Sequence, residues 1–327
     1  MHLRILGSAA GGRFPQWNCG CGNCSAVRDN ARGNDRQSKF AGKARTQAQL
    51  ALSADGVTWF LAGASPDLPS QIEATRALHP RGPRDSPIAG VVLGSADLDH
   101  VVGLLLLREL QPLRVYAAPS ILRILREENS MFGMLNRAEH QVVWTAINAD
   151  GAFPLLDAAG QIPAGDAGLR CEIYYLSGRY PKYAQSTGLT ADEATAGLFF
   201  TSSFIASSAR LSSKSQSAKR IAYLPAVGKL DDALMAKVDG ADVLLFDGTF
   251  WSDDELIRIE SSGETARQMG HIPVEESLVL LKNVKAGRSV YIHINNTNPI
   301  LNEAGPEHRA VRAAGWEVAE DNWHLEL

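Results

Sequence analysis

The chain has 327 residues, 45% of them hydrophobic, with a formal net charge of −4. That length allows one large domain or two small ones around a sizeable core, and the mild acidity gives no electrostatic case for nucleic acid or an anionic membrane. No apolar run approaches the ~18 residues of a membrane span, and the run after Met1 is too short for a secretion signal, so a soluble cytoplasmic protein is the expectation.

His2 to Leu6 reads as a first strand, followed by the small-residue loop Gly7-Ser8-Ala9-Ala10-Gly11-Gly12. Three of the four cysteines then crowd into Cys19-Gly20-Cys21-Gly22-Asn23-Cys24. This spacing is awkward for disulfides and natural for a metal, because the glycines let three thiolates converge. A structural zinc needs four ligands. His271, held between Gly270 and Pro273, is the candidate fourth beside Cys19, Cys21 and Cys24. Cys171 sits in an apolar run and reads as core.

The polar segment from Arg28 to Arg45 reads as a surface loop. Gln47–Leu52 and Val57–Leu61 read as a strand pair, and Ser65-Pro66-Asp67 predicts a helix to about Leu78 with Ser65 as its cap. Next come a strand at Ile88–Leu93, the stretch Ser95-Ala96-Asp97-Leu98-Asp99-His100, and a well-buried helix to Leu110. The helix opened by Pro119 ends near Glu128, and Val142 to Tyr175 alternates short apolar runs that suggest strands.

Gly197–Thr201 and Arg220–Leu224 are further strands, flanking a serine-rich stretch at 202–219 that reads as a flexible loop within the domain. The last third alternates regularly. Helices fall at Asp231–Val238, Val274–Leu281 and Glu307–Ala314, and strands at Val243–Phe246, Val290–Ile294 and Trp316–Val318. Alternation with added strand-pair signals predicts an α/β protein of two sheets between helical layers.

The chemistry-bearing residues follow strands. Asp97, Asp99 and His100 come after the first of them, Asp247 after Val243–Phe246, and His293 within Val290–Ile294. Carboxylates with imidazoles suit zinc, manganese or non-haem iron; Asp99 as a helix cap is the bland alternative. Asn295, two residues beyond His293, is expected on the same strand face as a catalytic candidate. Arg179, Lys182 and Tyr183, in a Gly/Pro loop, are candidates to meet a carboxylate-bearing substrate.

These segments resemble a known family. Phe14-Pro15-Gln16-Trp17-Asn18-Cys19, Asp99-His100-x-x-Gly103, Asp247-Gly248-Thr249-Phe250-Trp251, Met269-Gly270-His271 and His293-Ile294-Asn295-Asn296-Thr297-Asn298-Pro299 look like the B proteins of pyrroloquinoline quinone (PQQ) biosynthesis. The resemblance spans nearly the whole chain and implies a metallo-β-lactamase-like αββα sandwich, one domain over residues 1–327. Dinuclear sites of that superfamily are similar to His-x-His-x-Asp-His, a third His, a bridging Asp and a last His. Here Ser95 and Asp97 stand for the first two histidines, and Leu176-Ser177-Gly178 stands where the third would fall.

The resemblance therefore implies one active-site metal on Asp99, His100, Asp247 and His293, with Asp97 beside it. It further implies an iron(II)-dependent, oxygen-using hydroxylase, with zinc or manganese as alternative metals. Its substrates would be O2 and the tyrosine ring of a Glu-Tyr-derived peptide. A homodimer and other PQQ-pathway proteins are candidate partners. The competing readings are a metallohydrolase and a non-catalytic carrier that transports the quinone.

Overall fold

Val243-Leu244-Leu245-Phe246 is apolar at every position, and all four side chains are buried. A strand of that kind needs cover on both faces, and the architecture supplies it. The computed structural model describes residues 1–33, 40–139, 141–163, 168–176, 178–185, 188–202, 218–260 and 263–327. Most of the serine-rich stretch read as a flexible loop lies outside the described residues, as does Ser177.

The first sheet contains β1 (His2–Gly7), β2 (Gln49–Ser53), β3 (Trp59–Ala62), β4 (Ile88–Val92), β5 (Leu113–Ala117) and β6 (Val142–Ala146). The second contains β7 (Phe153–Pro154), β8 (Leu169–Leu176), β9 (Thr195–Ser202), β10 (Arg220–Leu224), β11 (Val243–Asp247), β12 (Arg288–Ile292) and β13 (Glu317–Val318). The final strand β14 (Trp323–Glu326) returns to the first sheet, giving the orders β14-β1-β2-β3-β4-β5-β6 and β13-β12-β11-β10-β9-β8-β7.

Each sheet pairs its strands antiparallel on one side and parallel on the other. β14 through β3 are antiparallel and β3 through β6 parallel. In the same way β7 through β10 are antiparallel and β10 through β13 parallel. This matching pattern carries no repeat legible in the sequence.

Three apolar layers hold the stack together. Leu3, Leu50, Leu52, Ile173, Leu198 and Leu245 fill the space between the sheets. Leu61, Val91, Val115, Leu68 and Leu104 join the first sheet to its helices, and Leu244, Phe246, Leu234, Val274 and Val311 join the second to its own. The expected two-sheet sandwich between helices is the observed architecture, and among the described residues no helix is long and apolar enough to cross a membrane.

Several local expectations change. The helix after Ser65 spans only Leu68–Glu73 and is preceded by Asp67; the Ser65 hydroxyl instead donates to Gln71 Oε1 at 2.9 Å. The run after His100 is two short turns, Leu98–Val101 and Gly103–Leu106, and Leu110 is half exposed. Gly103 is needed there, since a Cβ would meet the Ser65 carbonyl at 2.3 Å. A helix at Gly22–Ala31 starts inside the cysteine segment, where a loop was expected from Arg28 onward. The strand carrying His293 stops at Ile292, and β14 was not foreseen.

Candidate metal centre

Alternation along β11 places Val243 and Leu245 in the core between the sheets. Asp247 is the next residue on that side, fully buried at the strand end. Its carboxylate is the hub of this region. Oδ2 accepts from the Val227 N–H and lies against His271 Nδ1, both at 2.8 Å. Oδ1 accepts from the Thr249 N–H at 3.0 Å and the Thr249 hydroxyl at 2.6 Å.

Thr249 passes the order on, since its Oγ1 lies 2.9 Å from His293 Nδ1. His293 itself has φ of 60°, a left-handed backbone rare outside glycine. The twist turns its ring out of the strand register, so that Nε2 lies 3.3 Å from Asp99 Oδ2. His100 closes the group: Nδ1 is 2.8 Å from Ser95 Oγ, and Nε2 is 3.9 Å from Asp99 Oδ2. His100 Nε2 is buried with no hydrogen-bond partner, an expensive state unless something else coordinates it.

Two overlapping donor sets result, Asp99/His100/His293 and Asp247/His271/His293, each with its ligand atoms within 4.8 Å of one another. The His271 and His293 rings stack at 5.8 Å and 24°. Each imidazole is fixed through Nδ1 by a hydroxyl or carboxylate, which leaves Nε2 facing inward. Metal-binding histidines are held in this way, so the residues present fit a metal ion.

Burial raises the Asp99 carboxyl, but the His100 and His293 imidazoles more than offset it and hold it well below the usual carboxylate range. Burial opposes charging His271, yet the Asp247 carboxylate wins and raises its pKa. Burial also pushes the Asp97 carboxyl up. The loop after β1 closes over Asp99, where a Cβ on Gly11 would come within 3.3 Å of Oδ2.

The cysteine cluster is separate. The Cys19, Cys21 and Cys24 sulfurs lie within 4.8 Å of one another. The expected fourth partner, His271, does not join them, because its ring is held by Asp247 in the other group. Asn296 faces the thiols instead: its Nδ2 lies 3.1 Å from Cys19 Sγ and 3.4 Å from Cys24 Sγ. Burial pushes the Cys24 thiol up to about 11, so a thiolate there calls for a compensating cation. Cys171 is fully buried in the core between the sheets.

Asn295 is not beside His293 in strand fashion. Its side-chain amide donates to Thr297 Oγ1 at 2.6 Å and its N–H to the Thr249 carbonyl at 3.0 Å, because β12 has already ended. Asp97 precedes the Leu98–Val101 turn without a side-chain capping bond and lies outside both donor sets. Arg179 pairs with Glu264 at 3.8 Å, while the Tyr183 hydroxyl donates to the Ala96 carbonyl. Ser95 and Thr249 were missed as orienting groups. The Asp247-Gly248-Thr249 spacing, typical of a carboxylate capping the backbone two residues on, was the signal for Thr249.

A family model described as "Beta-lactamase superfamily domain" matches residues 58–294. "Coenzyme PQQ synthesis protein B" of Methylorubrum populi is 40% identical over the full length of both chains. The protein of that name from Pseudomonas aeruginosa is 39% identical, again over the full length of both. Among solved structures, "Zn(2+)-bound PqqB from Methylobacterium extorquens" superposes with a TM-score of 0.84 at 37% identity, covering all of both chains. A diphosphatase of the PhnP family shares the fold with a TM-score of 0.64 at 18% identity, covering all of this chain and 96% of that one. With its two mixed sheets, full-length relatives and superfamily match, this chain belongs to the coenzyme PQQ synthesis protein B family, within the metallo-β-lactamase superfamily.

Proposed function

We propose that this chain acts in PQQ biosynthesis as a metal-dependent hydroxylase of the tyrosine ring in a Glu-Tyr-derived peptide, with Asp99, His100 and His293 holding iron(II); Asp247, expected in the same ligand set, groups instead with His271 and His293. The observation that carries the reading is the buried, partnerless His100 Nε2 beside a carboxylate and a second imidazole, where Ser95 and Asp97 supply no further imidazole. Iron(II) held by these three side chains would supply the redox chemistry that hydroxylation with dioxygen needs.

The chain's own groups do the rest. Ser95 and Thr249 fix the rings of His100 and His293 through Nδ1. Asp247 fixes His271, whose Nε2 makes no hydrogen bond to the described protein and is available to take or give a proton. Asp97, carrying a raised pKa, is a second group able to hold a proton beside the site. Cys19, Cys21 and Cys24 supply three ligands of a structural zinc; the relative from Methylobacterium extorquens is itself named as Zn(2+)-bound.

Metal analysis of protein purified without oxygen, followed by oxygen uptake with a Glu-Tyr dipeptide, tests this. Iron outside the cysteine site and substrate-dependent uptake are expected; activity with zinc alone and no uptake would sink it. The second donor set, Asp247/His271/His293, favours a two-metal hydrolase as the competing reading. Two metals per chain in addition to the cysteine-bound one would support that instead.

A further inference from the structure

The buried tyrosines of the fold are Tyr116, Tyr223 and Tyr291. The hydroxyl of Tyr116 donates to the Leu156 carbonyl at 3.1 Å and accepts from the Leu156 N–H at 2.7 Å. Tyr291 shares a 2.8 Å bond with Ser277. Tyr223 is only 3% exposed; its hydroxyl makes no hydrogen bond to the described residues, and it is not shut off from solvent, since Tyr223 lines a cavity. A polar group so placed is satisfied by a small ligand or a water.

Its position suggests why. Tyr223 is the penultimate residue of β10, and the chain beyond it delivers the Val227 N–H to Asp247. It lines a cavity of about 20 Å³ together with Ser95, Asp97, His100, Thr195 and Ala196. That volume is room for one water-sized group. The Ser95 hydroxyl is already engaged with His100 Nδ1 and the Asp97 N–H, and small apolar side chains form most of the remaining wall. The cavity thus offers a free phenolic donor beside an imidazole of the metal centre. Burial, with the Asp99 carboxylate nearby, keeps that phenol protonated.

We propose that the Tyr223 hydroxyl donates a hydrogen bond to a water-sized ligand held in this cavity against His100, making Tyr223 a ligand-contacting residue of the metal centre. The ligand class is a small neutral molecule with an acceptor atom, bound on the Ser95 side of His100. This rests on a metal occupying the Asp99/His100/His293 group, as in the reading above.

The test uses the full chain loaded with cobalt, in wild-type, Tyr223→Phe and Tyr116→Phe forms. A high-resolution crystal structure of the wild type should show one ordered solvent atom within hydrogen-bond distance of Tyr223 Oη, and that atom should be lost in Tyr223→Phe. The visible cobalt band should shift in Tyr223→Phe with cobalt affinity unchanged. Melting temperature should hold in Tyr223→Phe but fall in Tyr116→Phe, whose hydroxyl serves the fold. An empty wild-type cavity, or a cobalt band identical in Tyr223→Phe and wild type, overturns the proposal alone. Failure of cobalt to occupy the His/Asp group overturns the metal reading, and the proposal with it.

Discussion

The cysteine cluster and the His/Asp cluster are built in opposite ways. Cys19 and Cys21 lie in one loop and Cys24 in the first turn of the helix Gly22–Ala31 that follows it. Asp99 and His100 come from the turn after β4, Asp247 from the end of β11, His293 from just after β12 and His271 from the loop before Val274, so both sheets contribute. One loop and one helix start suffice to form the first group. The second exists only once the sheets have docked through their shared core. The two are nevertheless joined, since one short segment carries His293 to the His/Asp site and Asn296 to the cysteine site.

The largest test of this contrast is Asp247→Ala. It strands the Val227 and Thr249 N–H groups and frees His271, so unfolding free energy should fall by about 3–5 kcal/mol. Denaturant titration measures the loss, and metal analysis should show the cysteine-bound ion retained while the other is gone. Retention of both metals at wild-type stability would show that the carboxylate is not the hub.

Cys24→Ser is the reciprocal break. Metal content should drop by one equivalent per chain while the His/Asp metal stays, with slight weakening because Asn296 loses a thiol contact. Loss of both metals together would mean that the clusters form as one unit.

A smaller effect comes from Glu255, whose carboxylate accepts from the Trp251 N–H at 2.6 Å and from the Thr297 hydroxyl. Burial pushes this carboxyl up from 4.5 to about 7. The folded state therefore holds the proton more tightly than the unfolded chain does. The associated stability is fully present below the unfolded value and is lost as pH rises through about 7. It amounts to about 3 kcal/mol. Stability curves of Glu255→Gln between acid and mildly alkaline pH should lack this decline; an unchanged slope would place the titration elsewhere.

The smallest effect is expected at Gly11. An added methyl would sit 3.3 Å from Asp99 Oδ2, so Gly11→Ala should leave stability within about 1 kcal/mol. It should weaken the His/Asp metal severalfold, as read by competition with a chelator. Equal affinity would show that the β1 loop yields freely.

Much of the fold was legible. Arg220–Leu224 was placed to the residue, and Val243–Asp247 differs from expectation only by including the acid itself. Strands covered on both faces write themselves as unbroken apolar runs, so their signal is strong. Short half-exposed elements were harder. The run from Val101 to Leu110 looked like one buried helix because its leucines are consecutive, but only the short turns Leu98–Val101 and Gly103–Leu106 form, where Gly103 packs against the Ala64–Ser65 backbone. At the site, Asp99, His100, Asp247 and His293 were picked out because each follows a strand; Asn295 was misjudged because β12 ended two residues early.

By itself, the sequence determined the αββα arrangement, the convergence of three nearby thiols and the identity of the acids and imidazoles, since periodicity, local spacing and residue chemistry are properties of short segments. Tertiary structure alone decided that His271 belongs with Asp247 and Asn296 with the cysteines. His271 lies 24 residues from Asp247, and Asn296 lies 272 residues from Cys24. Which loops meet across two docked sheets is set by the packing of the whole core, and no local pattern encodes it.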